Sequence, residues 1–186
     1  MLDFNFNIIE KFENLKHNKV NLLNIWNDDI DIHFGKSTIK SGEKAFESLK
    51  KATEALKNKQ IDVLVTAPIN KASIKEKVSG FIGHTEFLEG NFDGESLMIM
   101  ISEKMKIAFL TGHIALENVK KFVTIDNLIA KTKKLQNSLI KDFGIRSPKI
   151  AILGLNPHAG ENGLLGKEEI EFIVPAIKLL KEEKIL

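Results

Sequence analysis

The sequence predicts an α/β protein of three layers, α/β/α, and three observations lead there. Compact apolar, β-branched runs alternate along the chain with stretches of helical periodicity. Glycine, proline and hydroxyl residues punctuate the changes between them. Polar residues that no turn requires gather in the loops after the strand-like runs, where α/β sheets place their ligands.

Taken in order, residues 20–25 form a short apolar run, read as a strand. Ser41 is read as a helix N-cap, followed at helical spacing by Ala45, Phe46, Leu49, Ala52, Ala55 and Leu56. Residues 61–66 are a β-branched run, read as a buried strand that Ala67-Pro68 ends. Residues 97–102 and 106–111 are two more apolar runs, close enough for a hairpin, so the sheet is expected to be mixed. Thr124 caps the next predicted helix, whose apolar positions are Leu128, Ile129, Leu135, Leu139, Ile140 and Phe143. Gly144 stands where a C′ glycine belongs and Pro148 blocks continuation. Residues 149–155 read as another buried strand. A glycine-rich loop over 156–166 and a short helix follow, and Pro175 opens a second helix as its first residue. No internal linker or repeat divides the chain.

Composition narrows the function classes. Of 186 residues, 27 are basic and 25 acidic, a net charge of +2. That balance argues against a dedicated nucleic-acid binder, which concentrates basic charge on one face. With no cysteine there is no disulfide and no thiolate metal site, which fits a reducing compartment. No apolar run approaches the roughly 20 residues of a membrane span, and residues 1–10 lack the apolar centre of a secretion signal. A cytoplasmic protein is expected.

Four loops carry the chemistry: Thr66-Ala-Pro-Ile-Asn70-Lys71, Gly83-His84-Thr85-Glu86, Thr111-Gly112-His113, and Asn156-Pro-His158-Ala-Gly160-Glu161. Three of the five histidines sit in them. Neutral imidazole is the commonest side-chain metal ligand, and histidines from separate strand ends suit a catalytic divalent ion with open positions. His84 and Thr85 can hydrogen-bond a hydroxyl or phosphate, and Lys71 offers a point charge. Each has a plainer reading. A loop histidine is usually only hydrogen-bonded, Asn156-Pro157 is a common turn starter, and Glu168, Glu169 and Glu171 suit the first turn of a helix. His17 and His33 lie in polar contexts and are given no role. The residues alone support an α/β enzyme, metal-dependent or not.

At these loops the sequence resembles the 4-hydroxythreonine-4-phosphate dehydrogenase family of vitamin B6 biosynthesis. The resembling segments are Val65-Thr-Ala-Pro-Ile-Asn-Lys71, Phe81-Ile-Gly-His-Thr-Glu-Phe87, Thr111-Gly-His-Ile-Ala-Leu116, Phe143-Gly-Ile-Arg-Ser-Pro148 and Gly154-Leu-Asn-Pro-His-Ala-Gly-Glu161. Gly166-Lys-Glu-Glu169 and Pro175-Ala-Ile177 extend the last. The resemblance covers about three quarters of the chain. It implies a fold like isocitrate and isopropylmalate dehydrogenases and a homodimer with sites between domains. It also implies NAD-dependent oxidation of 4-phosphooxy-L-threonine with decarboxylation to 3-amino-2-oxopropyl phosphate. By the same resemblance, His84 and Thr85 match the substrate-contacting pair, His113 and His158 match two metal-binding histidines, and Asn70 and Lys71 fall in a motif near the substrate. No catalytic or cofactor-contacting residue is assigned.

Several family features have no counterpart here. They are the third metal histidine in its Tyr-His-Asp-Gln type motif, the later phosphate-binding lysine, asparagine and arginine, the Asp-His-Gly-Thr stretch around the cofactor, and the N-terminal Gly-Asp-rich loop. Ala115 replaces the proline usual after the metal histidine. The expectation is an internal fragment of a dehydrogenase, with parts of both family domains, inactive by itself. Metal identity stays open: imidazoles suit zinc or cobalt, whereas magnesium and manganese prefer oxygen donors. Two alternatives stand beside this reading: a sister dehydrogenase acting on 4-phospho-threonate or 4-phospho-erythronate, and a non-catalytic remnant.

Overall fold

The computed structural model describes residues 5–185; the first four residues of the opening stretch and Leu186 lie outside them. The chain forms two compact units, divided between Glu95 and Ser96.

In the first unit, β1 (Asn7–Ile9) and β2 (Asn21–Leu23) pair in parallel, with Asn7 opposite Asn21 and Ile9 opposite Leu23. The Asn7 amide donates to Asn21 Oδ1 at 3.0 Å across the pair. The helix expected from the run of Ala45 to Leu56 is α1 (Ile39–Lys57). Its cap is Thr38, not Ser41. The Thr38 hydroxyl accepts from Ser41 N–H and the Ser41 hydroxyl accepts from Thr38 N–H, both at 3.1 Å. Two orphan amides are thereby satisfied reciprocally, so the helix starts a turn earlier than a lone Ser41 cap would allow.

The short helices α2 (Lys71–Lys75) and α3 (His84–Glu89) follow. Leu49 from α1, Ile74 from α2 and Phe81 before α3 are buried together, with Phe46, Leu64, Ile69, Val78 and Phe87 packed around them. Phe46 stands edge-on to both Phe81 and Phe87, with ring centroids 5.6 and 5.2 Å apart. Such pairs contribute about 0.5–1.5 kcal/mol each beyond their burial. The apolar face of α1 is thus the platform on which both site-bearing segments of this unit rest.

In the second unit, β3 (Ile99–Ile101) and β4 (Lys106–Ala108) form the expected antiparallel hairpin, with Met100 opposite Ile107. A short α4 (Val119–Phe122) leads into α5 (Ile125–Lys141). Thr124 caps α5 as the sequence predicts, its hydroxyl accepting from Asn127 N–H at 3.2 Å. Gly144 then takes φ +66°, the left-handed conformation expected just past a helix end. A π-turn over Glu169–Ile173 runs directly into α6 (Val174–Glu182), with Pro175 in the first turn. Val123, Leu128, Ile173 and Ala176 form the core of this unit.

Two strand expectations are not met. Residues 61–66 and 149–155 join no ladder among the described residues. Val63, Val65 and Leu153 stand 73%, 88% and 80% exposed. Composition sets a run's preference for extended backbone, but a strand also needs a hydrogen-bonding neighbour, and neither run has one here. The described sheets hold two strands each, so the architecture is mixed helix and strand, without the single layered sheet that was expected.

Candidate functional site

In the first unit, residues 61–66 lead the chain toward Asn70, the N-cap of α2. Its side-chain oxygen accepts from Ser73 N–H at 3.0 Å. That bond satisfies an amide the helix start leaves orphaned, so part of the reason for an asparagine here is local. Lys71 follows as the first residue of α2 and is exposed.

Gly83 ties this segment to the next. A Cβ on Gly83 would stand 3.2 Å from Lys71 Nζ and 3.0 Å from Glu86 Oε2. The bare glycine lets an ammonium and a carboxylate both approach the chain immediately before His84. His84 and Thr85 open α3 and are half-buried. The fold therefore brings Lys71, His84, Thr85 and Glu86 around one glycine, although twelve residues separate Lys71 from His84 in the sequence. Glu86 was visible in the Gly-His-Thr-Glu motif but was given no role. Its spacing from Lys71 gives no hint that the two meet.

In the second unit, β4 leads to His113, which is exposed and has φ +52°. A non-glycine residue in this region costs about 1–3 kcal/mol, and such residues cluster at ligand-binding positions. The second histidine loop is built around Asn156. Its side-chain oxygen accepts from His158 N–H at 3.0 Å and from Gly160 N–H at 3.3 Å, and its amide donates to Leu165 O at 3.2 Å. This is the Asx turn that the Asn-Pro pair announces. Ala159, Gly160, Glu161, Asn162 and Gly163 all have positive φ, an unusual run for a loop with three non-glycine members. His158 is exposed.

Neither His113 nor His158 is packed among apolar side chains; both are exposed. Among the described residues no three histidine, aspartate or glutamate side chains gather as a metal-holding group. The donor chemistry fits two imidazole ligands of a divalent ion and leaves the rest of a coordination sphere to other groups.

Beneath the His158 loop lie two glutamates that the sequence assigned only to a helix start. Glu168 and Glu169 are 5% and 7% exposed. Glu168 Oε1 meets Lys120 Nζ at 2.6 Å, and that ammonium holds the Glu168 carboxyl below its ordinary value. The same contact raises Lys120. Leu155 N–H donates to Glu169 Oε1 at 2.8 Å. Glutamates at the start of a helix are ordinarily solvated, so their burial carried no sequence signal.

These features define a class: an α/β chain whose imidazole, amine and carboxylate groups sit in loops and at the starts of short helices. The whole chain, residues 1–186, matches the family described as Pyridoxal phosphate biosynthetic protein PdxA, and it belongs to that family. It is 38% identical over 185 residues to a 4-hydroxythreonine-4-phosphate dehydrogenase of Bacteroides thetaiotaomicron, covering 98% of this chain and 50% of that protein. It is 36% identical over 185 residues to another of that description from Sulfurihydrogenibium sp., covering 99% and 57%. A Clostridium botulinum relative with the provisional description D-threonate 4-phosphate dehydrogenase is 36% identical over 181 residues, covering 95% and 54%. The chain thus spans about half the length of the curated relatives it matches. Among solved structures it resembles 4-hydroxythreonine-4-phosphate dehydrogenases from Klebsiella pneumoniae and Burkholderia phymatum. The first has a TM-score of 0.77 at 26% identity, over 97% of this chain and 56% of that one. The second has a TM-score of 0.74 at 28% identity, over 96% and 55%. Among the described residues no helix is long and apolar enough to cross a membrane.

Proposed function

We propose that this chain is part of an NAD-dependent dehydrogenase of the cytoplasm. In this reading it oxidises 4-phosphooxy-L-threonine and releases carbon dioxide to give 3-amino-2-oxopropyl phosphate for vitamin B6 biosynthesis. The observation that carries this is the match of the whole chain, residues 1–186, to the PdxA family. In the longer protein the two-stranded sheets belong to a three-layer α/β/α fold, and two copies form a homodimer. His84 and Thr85 hold the substrate by hydrogen bonds. Lys71 supplies positive charge beside them, with Asn70 at its flank. His113 and His158 are two ligands of a divalent metal. That ion would acidify the secondary alcohol and polarise the ketone, and NAD would accept the hydride. The exposure of both imidazoles and the left-handed backbone at His113 support a role that faces a ligand rather than the core.

A second reading takes 4-phospho-D-threonate as substrate, and the Clostridium botulinum relative favours it. NADH formation by the complete reading frame that contains this chain decides between them. The expected outcome is NAD reduction with 4-phosphooxy-L-threonine, lost on His113→Ala or His158→Ala. The 186-residue chain alone is expected to make no NADH, because two histidines are a poor catalytic metal site. If the complete protein reduced NAD with neither substrate, both readings would fall.

A further inference from the structure

We infer that Glu169 is a positioning residue for His158, bracing the histidine loop from beneath through the Oε1 bond to Leu155 and the close approach of Oε2 to Gly160.

Glu169 lies in the π-turn that precedes α6, at 7% exposure. A buried carboxylate is costly unless its oxygens are satisfied. Oε1 is satisfied by the N–H of Leu155, the residue that leads into the loop. Oε2 is buried and has no hydrogen-bond partner among the described residues. It is directed at Gly160 instead: a Cβ there would stand 2.6 Å from Oε2 and 2.8 Å from Gly166 O. Gly160 has φ +76°, so both the backbone and the space demand glycine.

The contacts form a closed set around His158. Glu169 fixes Leu155 on one side and limits Gly160 on the other. Asn156 Oδ1 holds the amides of both His158 and Gly160. The stretch from Ala159 to Gly163 is uniformly left-handed, a conformation that surrounding contacts must enforce. For a residue that only filled space, an apolar side chain would avoid the cost of a buried, half-satisfied carboxylate. That cost is reasonable where the loop must present one imidazole in one place. The bracing stands on the geometry alone; its effect on metal rests on the proposed function.

The test uses the 186-residue chain with Glu169→Ala, Glu169→Asp, Glu169→Gln and, as a control on charge, Glu171→Gln at an exposed position of the same turn. Backbone amide exchange is read by NMR, and Co(II) alone is titrated as the metal probe. In Glu169→Ala, exchange is expected to rise at least tenfold at Leu155, His158 and Gly160 while the core amides of α5 stay protected. Glu169→Gln keeps an oxygen for Leu155 and should restore protection there; Glu171→Gln should change nothing. Co(II) affinity is expected to fall about 10- to 100-fold in Glu169→Ala and to recover in Glu169→Gln. Unchanged loop exchange in Glu169→Ala overturns the proposal. So does Co(II) binding that His158→Ala weakens and Glu169→Ala does not. If the loop loosens but His158→Ala binds Co(II) as the parent chain does, the bracing stands and the metal reading falls. If Glu169→Ala fails to fold, Glu169→Asp decides: its shorter arm should free Leu155 while α5 stays protected, and retained Leu155 protection overturns the claim.

Discussion

At the scale of single residues, the site in the first unit depends on a glycine that does no chemistry. Gly42 lies in the first turn of α1, and a Cβ there would come within 2.5 Å of the Ser73 carbonyl carbon and 2.6 Å of its oxygen. In an exposed helix, glycine to alanine gains about 1 kcal/mol from propensity alone. Here the added methyl must push α2 away from α1, and overpacking of this kind costs about 1–3 kcal/mol. Gly42→Ala is therefore expected to lower the urea midpoint of unfolding rather than raise it. Because α2 starts at Lys71, the same change should alter the NMR shifts of Asn70 and Lys71. A raised midpoint would mean that the close approach of the two helices is not a packing constraint. The sequence showed only a glycine inside a helical pattern, which has several explanations. Ser73 against it is a contact across thirty residues, and no local rule supplies it.

At the scale of elements, the link between α4 and the π-turn gives the second unit a defined acid response. Lys120 Nζ and Glu168 Oε1 are 2.6 Å apart. Hydrogen bonding to Lys120 holds the Glu168 carboxyl below its ordinary 4.5. A carboxyl lowered by folding stabilises the native state above its unfolded value and loses that contribution as pH falls through the lowered one. Lys120 is raised above its ordinary 10.5 by the same partner, so its contribution is complete below 10.5 and fades only in stronger base. Lys120→Met should therefore lower the melting temperature near neutral pH. The gap from the parent chain should close as pH drops below about 4.5, which a series of thermal melts would follow. A gap that stayed constant into acid would mean that the two side chains do not interact. Elements of this kind were legible to different degrees. Helical spacing located α1 and α5, and Thr124 marked the start of α5 correctly. The hairpin of β3 and β4 followed from two apolar runs with a short gap. The loops were legible as motifs because their segments occur together in one order, although single residues such as Asn70 and Asn156 also have local structural uses. What the sequence could not show is which buried glutamate meets which loop, because pairings such as Glu169 with Leu155 depend on packing alone.

For the whole molecule, the exposed apolar backbone decides how the isolated chain behaves in solution. Residues 61–66 and 149–155 have the β-branched composition of interior strands, yet Val63, Val65 and Leu153 are each more than two-thirds exposed. An exposed apolar run of strand-forming composition, with amides and carbonyls that lack a ladder, invites pairing with another chain. Each unit carries one such run, so mutual pairing between copies can propagate instead of closing. The chain is therefore expected to self-associate as its concentration rises, visible as larger species in sedimentation velocity. Val65→Lys and Leu153→Lys place charge on these runs and should suppress the association, more strongly together than singly. Neither side chain contributes to the buried clusters of its unit, so the cost in stability should stay within about 0.5 kcal/mol for each. A parent chain that remained monomeric at all concentrations would show that the exposed runs need no neighbour. Association that both lysines left untouched would place the sticky surface elsewhere, the exposed Met100 and Ile101 of β3 being the next to test.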